Sequence, residues 1–204
     1  MKKSILALLI IVVAVSLGSY LLLRDARIAN YPPKDGPIVA FGDSLVAGSG
    51  STDGNDFVSV LSRGIGEEII NLGVPGDTTA SGLSRIDDVL KKEPRITMLL
   101  LGGNDFFRKT PREETFSNLR KIVSRLQESG SVVVILGVRG GLLSDSAGRL
   151  YEDLAEETGS AYVPDVLDGL FGDARYMSDS IHPNDAGYRK IAERIYPVLN
   201  EILR

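Results

Sequence analysis

The chain has 204 residues, 43% hydrophobic and 25% charged, with a net charge of -4, a composition of folded globular proteins rather than of disordered or fibrous ones. The acidic balance gives no basis for expecting nucleic acid as a partner. The absence of cysteine removes disulfides, thiol nucleophiles, thiolate metal sites and a lipid-bearing cysteine.

Lys2 and Lys3 precede an uncharged stretch from Ser4 to Leu23 that ends at Arg24. Twenty residues at about 1.5 Å each reach roughly 30 Å, the thickness of a bilayer's hydrocarbon core. Residues 1–24 are therefore expected to be a signal-anchor or transmembrane segment with the rest of the chain outside the cytoplasm. Ser16-Leu17-Gly18 keeps open a cleaved signal and a secreted or periplasmic product. Residues 25–36, with Pro32 and Pro33, read as a short stiff linker. Residues 37–204 form the domain, at roughly 170 residues enough for one core.

Within the domain, apolar runs alternate with helical patterns. Strands are predicted at 37–41, 68–72, 96–101, 131–137 and 161–163, and helices at 55–64, 78–92, 112–129, 146–158 and 184–203. The runs at 96–101 and 132–136 lack polar alternation, as central parallel strands covered on both faces do. In the third helix, Phe116, Leu119, Ile122, Val123 and Leu126 recur at three- and four-residue steps and define one buried face. The alternation predicts an α/β domain: a three-layer, doubly wound (flavodoxin-like) parallel sheet of five strands.

Reactive groups in such sheets gather at the carboxyl ends of the strands, and four segments fall there: Gly42-Asp43-Ser44-Leu45, Gly76-Asp77-Thr78, Gly102-Gly103-Asn104-Asp105 and Asp179-Ser180-Ile181-His182-Pro183. His182 is the chain's sole histidine, and so the one side chain whose ordinary ionisation suits proton transfer near neutrality. Read singly, each has a plain structural role. Ser44 could cap a turn, Thr78 or Asp77 could cap the second helix, Gly73 and Gly76 could be turn glycines, and Asn104 could hold a strand-end turn. Asp43 reads as a brace of the turn at Ser44, and Asp105 as a turn residue. The stretch Gly48–Gly54 lacks a phosphate-loop lysine and dinucleotide glycine spacing, and reads as a flexible loop beside Ser44. With one histidine and no cysteine, a zinc site on Asp179, His182 and Asp185 is not expected.

Taken together and in this order, the four blocks resemble the SGNH, or GDSL, hydrolase superfamily, and within it the small bacterial arylesterases, lysophospholipases and acyl thioesterases. The resemblance covers about 38 to 200. It implies a serine hydrolase with Ser44 as nucleophile, His182 as base and Asp179 as the acid that orients it, working through an acyl-enzyme. It also implies an oxyanion hole of the Ser44 N–H, the Gly76 N–H and the Asn104 amide. A glycine at 76 would let backbone approach the substrate without a Cβ in the way. Phe106, Phe107, Leu142 and Leu143 lie in loops expected to border the site and are candidates for substrate binding. No cofactor, metal or obligate protein partner is expected, and the partners would be an acyl ester, small or lipidic, and the membrane through the N-terminal segment. The family's range leaves carbohydrate O-acetylesterase of the cell envelope as an alternative. A dead lipid- or glycan-binding domain on the same fold is a further one.

Overall fold

Five short, largely apolar runs become strands, and the central three are buried along their whole length, as strands covered on both faces are. The five are β1 (Ile38–Gly42), β2 (Ile69–Gly73), β3 (Ile96–Leu100), β4 (Val132–Leu136) and β5 (Ala161–Val163). In the computed structural model, which describes residues 28–138 and 145–204, all neighbours pair in parallel in the order β2-β1-β3-β4-β5. This is the expected doubly wound sheet, with the order reversing between β1 and β3. The N-terminal segment of residues 1–24 and the candidates Leu142 and Leu143 lie outside the described residues. Among the described residues, no helix is long and apolar enough to cross a membrane.

Eight helices are described: α1 (Ser44–Ala47), α2 (Phe57–Ile65), α3 (Thr79–Ser84), α4 (Ile86–Leu90), α5 (Gly103–Phe107), α6 (Arg112–Glu128), α7 (Asp145–Thr158) and α8 (Asp185–Ile202). Side chains alternate across each strand, so β1 feeds two cores at once. Ile38 and Ala40 join α2 and α8 on one face through Phe57, Leu61, Ile191 and Ile195. Val39 and Phe41 join α4, α6 and α7 on the other through Val89, Leu119, Ile122 and Leu154. The sheet is thereby clamped, and its carboxyl ends form a fixed shelf.

Three local features depart from expectation. The single helix predicted at 78–92 is two, α3 and α4, broken at Arg85 (φ -111°, ψ 17°). Its apolar pattern runs on through Leu83, Ile86, Val89 and Leu90, but the Arg85 side chain is committed elsewhere, as described below. Secondly, α1 and α5 are absent from the sequence reading because four or five residues are too few to show a helical period. Thirdly, the described part of the expected linker lies against the domain. Ala29 N–H donates to the Gly159 carbonyl (2.8 Å), and the Asn30 amide donates to the carbonyls of Gln127 (2.8 Å) and Ser131 (3.0 Å).

Candidate active site

Ser44 leaves the end of β1 as the first residue of α1, whose N-cap is Asp43. The Asp43 carboxyl accepts the Leu45 N–H at 3.0 Å. As the first helical residue, Ser44 has a backbone N–H with no acceptor inside its own helix. Asp43 is only 3% exposed, and burial pushes its carboxyl up to about 7 against the opposing Leu45 hydrogen bond. The brace expected at Asp43 is therefore present.

The other half of the site comes from residues 177–184, just before α8. Met177 and Pro183 form an isolated antiparallel bridge, and both the N–H and the hydroxyl of Ser178 donate to the His182 carbonyl (2.9 and 3.0 Å). Inside this loop Asp179 makes an aspartate turn. Its Oδ1 accepts the N–H groups of Ile181 and His182, each at 2.7 Å. Its Oδ2 lies 2.8 Å from His182 Nδ1. Those bonds, the imidazole's first and the backbone's after it, hold the Asp179 carboxyl down at about 2. The opposite ring nitrogen, Nε2, stands 3.2 Å from Ser44 Oγ. Asp179, His182 and Ser44 thus form one continuous hydrogen-bonded chain. The acid and base precede α8 and owe their alignment to the turn, not to a shared helix.

A second contact set fixes the distance between the halves. The loop after α1, expected to be flexible, is tied to α8: Asp185 accepts both the Thr52 N–H and its hydroxyl at 2.7 Å, and the Tyr188 hydroxyl donates to the Ser49 carbonyl at 2.8 Å. At Gly50 a Cβ would fall 2.3 Å from Ser178 Oγ, 2.6 Å from the Pro183 carbonyl oxygen and 3.0 Å from His182 Cβ. Only glycine lets this loop lie flat against the histidine turn. The Gly48–Gly54 stretch is a clasp.

Asn104 lines the same cavity as Ser44, and Gly76 stands in the turn after β2, beside Asp77. Gly76 has φ +84°, yet a Cβ there would meet nothing within 4 Å. The left-handed backbone by itself favours glycine here, and the space where a Cβ would stand is open. The Asn104 amide nitrogen donates to the Asp77 carbonyl at 2.9 Å and reaches Asp43 Oδ2 only at 3.5 Å. The second contact is too long to hold a proton firmly, so one amide N–H is fixed and the other is available to a developing charge. Loss of Asn104 in an Asn104→Ala variant is expected to lower kcat about 100- to 1000-fold with little change in KM. Steady-state kinetics check this, and a near-normal kcat would remove Asn104 from that role.

An apolar cavity opens beside Ser44, lined by Leu45, Leu100, Val138, Leu167, Phe171 and Ile181. Phe106 and Phe107 also line it and remain 41% and 43% exposed, as residues at its mouth. Asp105 is not the simple turn residue expected. It is 1% exposed and accepts the N–H and hydroxyl of Thr79 (2.8 and 2.5 Å), locking α5 to α3. The residue that sequence reasoning missed altogether is Arg85, which touches both β1 and Asp77. Its only sequence signal is a lone arginine interrupting an apolar helical pattern.

Comparison with known proteins bears on this geometry. Residues 40–190 match the model of the GDSL-like lipase/acylhydrolase family. An esterase, TesA, of Pseudomonas aeruginosa is 29% identical over 178 residues, covering 81% of this chain and 89% of that protein. An arylesterase of Vibrio mimicus is 31% identical over 168 residues, covering 76% and 84% respectively. Among solved structures, a crystal structure of TesA superposes with a TM-score of 0.76 at 26% identity, covering 81% of this chain and 99% of that one.

Proposed function

The chain belongs to the GDSL-like lipase/acylhydrolase family and is an ester hydrolase, and from that premise we propose that it cleaves short acyl esters through Ser44, His182 and Asp179. The observation that carries the reading is the chain Asp179 Oδ2···Nδ1 His182 Nε2···Oγ Ser44, at 2.8 and 3.2 Å, ending at the mouth of an apolar cavity. Ser44 Oγ adds to the acyl carbon while its proton passes to His182 Nε2. The carbonyl oxygen becomes an oxyanion facing the N–H groups of Ser44 and Gly76 and the Asn104 amide. As the intermediate collapses, the bond to the leaving oxygen breaks, and that oxygen takes the proton from His182. Water then repeats both steps on the acyl-enzyme and releases the acid. Asp179 keeps the Nδ1 proton in place, so that Nε2 is the nitrogen free to act as base.

Chain length follows from the cavity. The cavity beside Ser44 is walled by Leu45, Leu100, Val138, Leu167, Phe171 and Ile181. A short acyl group can be enclosed among these apolar side chains, and a longer chain would run out over the half-exposed Phe106 and Phe107. In a panel of p-nitrophenyl esters, kcat/KM is expected to peak between acetate and butyrate and to fall at octanoate and beyond. Acetylated xylan belongs in the same panel, because preference for it would favour the carbohydrate O-acetylesterase reading. A Ser44→Ala control separates enzyme from background. No turnover of any ester above that control would favour a binding domain instead.

A further inference from the structure

We propose that Arg85 is a positioning residue for the oxyanion hole, a role that rests on the serine-hydrolase reading above. Its side chain is 18% exposed and sits at the break between α3 and α4. Nε donates to Asp77 Oδ2 at 2.6 Å, and one terminal nitrogen donates to the Gly42 carbonyl at 2.9 Å. The guanidinium carbon lies 4.3 Å from the centre of the Phe41 ring. One planar group therefore grips the end of β1, just ahead of Asp43 and Ser44, and the residue that follows Gly76.

The grip extends to the third donor. The Asp77 carbonyl is the acceptor that fixes the Asn104 amide, at 2.9 Å. The remaining oxygen of the Asp77 carboxylate takes the Ser81 hydroxyl at 2.8 Å, so Asp77 cannot swing away. All three oxyanion donors thus lie within two residues, or one hydrogen bond, of a group that Arg85 holds. Ser44 follows Gly42 by two residues, Gly76 adjoins Asp77, and Asn104 hangs from the Asp77 carbonyl.

The arrangement needs arginine in particular. A guanidinium presents several donors in a rigid plane and can stack on an aromatic ring while bonding two acceptors in that plane. A lysine ammonium is a point charge on a flexible stem and cannot hold the same two acceptors at fixed separation over Phe41. Oxyanion donors must be held to about 0.5 Å to be useful, and a misplacement of 1 Å can cost about 100-fold in rate. The ion pair with Asp77 makes the unit neutral overall, so its contribution is geometry more than charge.

The test compares Arg85→Ala and Arg85→Lys with wild type, using a short p-nitrophenyl ester on the full chain. Wild-type turnover and its loss in Ser44→Ala come first, so failure of the hydrolase reading shows before Arg85 is examined. Both Arg85 variants are expected to lose about 10- to 100-fold in kcat with KM within about threefold of wild type. Affinity for an alkyl boronic acid, which mimics the tetrahedral intermediate, should fall by the same factor as kcat/KM. Millimolar methylguanidinium should restore several-fold activity to Arg85→Ala and none to Asn104→Ala. A folded Arg85→Ala protein with wild-type kcat overturns the proposal. So does a loss that follows the folded fraction, measured by circular dichroism, and is not rescued. Should Arg85→Ala fail to fold, Arg85→Lys and Asp77→Asn carry the same test. Wild-type kcat in either, with normal boronate affinity, is equally fatal.

Discussion

Replacing His182 with alanine is expected to lower kcat by about a million-fold, the scale seen when a histidine base is removed from a serine hydrolase. His182 is the sole histidine, so no second imidazole can take the Ser44 proton. The side chain is 25% exposed and contributes nothing to either apolar core. The contacts that hold its backbone, from Ser178 and Asp179, end on main-chain atoms and survive the substitution. The variant should therefore fold, with a thermal midpoint close to wild type and a residual rate set by the oxyanion donors alone. A folded His182→Ala protein that hydrolyses an activated ester at the wild-type rate ends the serine-hydrolase reading.

Asp179→Asn is expected to lower kcat by about 1000-fold. A buried aspartate in this role is worth about 10⁴, but Asp179 is 54% exposed and water shares its field. Most of the loss comes from the tautomer. An asparagine can keep one oxygen for the Ile181 and His182 N–H groups, but must then turn its own N–H groups toward Nδ1. That contact favours the proton on Nε2, where it blocks attack by Ser44. The pH dependence has a definite sign. The Asp179 carboxyl is held at about 2 by the imidazole and backbone N–H groups, against an ordinary 3.8. Its contribution is therefore complete above about 3.8 and lost as pH falls toward 2. An acid limb between pH 5 and 8 then does not report Asp179. Measured pH profiles of wild type and Asp179→Asn check both points, and a variant within tenfold of wild type across the range would remove Asp179 from the mechanism.

The sheet was legible because its strands are unalternating apolar runs, a pattern that needs cover on both sides and leaves few topologies. Ser44 and Asn104 could be singled out because each lies just past an apolar run, and Asp179 and His182 because they stand only three residues apart around the chain's sole histidine. Arg85 could not. It lies in the middle of a helical apolar pattern, where a single cation reads as a solvated face. Its partners, Gly42 and Asp77, stand at separations of 43 and 8 residues that no helical or strand period reveals. The clasp at Gly48–Gly54 was misread for a related reason. A run of glycine and serine signals freedom when read locally, and here it marks a close approach to residues more than 130 positions away.

The site is built in two halves of unlike durability. Ser44 and the proposed oxyanion donors Gly76 and Asn104 stand just past the carboxyl ends of β1, β2 and β3, strands that both cores must release before they move. Asp179 and His182 stand near the end of residues 164–184, a stretch without helix or strand between β5 and α8, which is pinned at its start by Val166, Leu167 and Leu170 in the core and fits closely against Gly50 at its end. Local opening of such a stretch costs less than global unfolding. Working life in heat then depends on the contacts of residues 178–188 with residues 49–52 as well as on the cores. An engineer seeking a longer-lived catalyst should reinforce the contacts between residues 49–52 and 178–188, because a stiffer interior alone would preserve a fold that has already let go of its base.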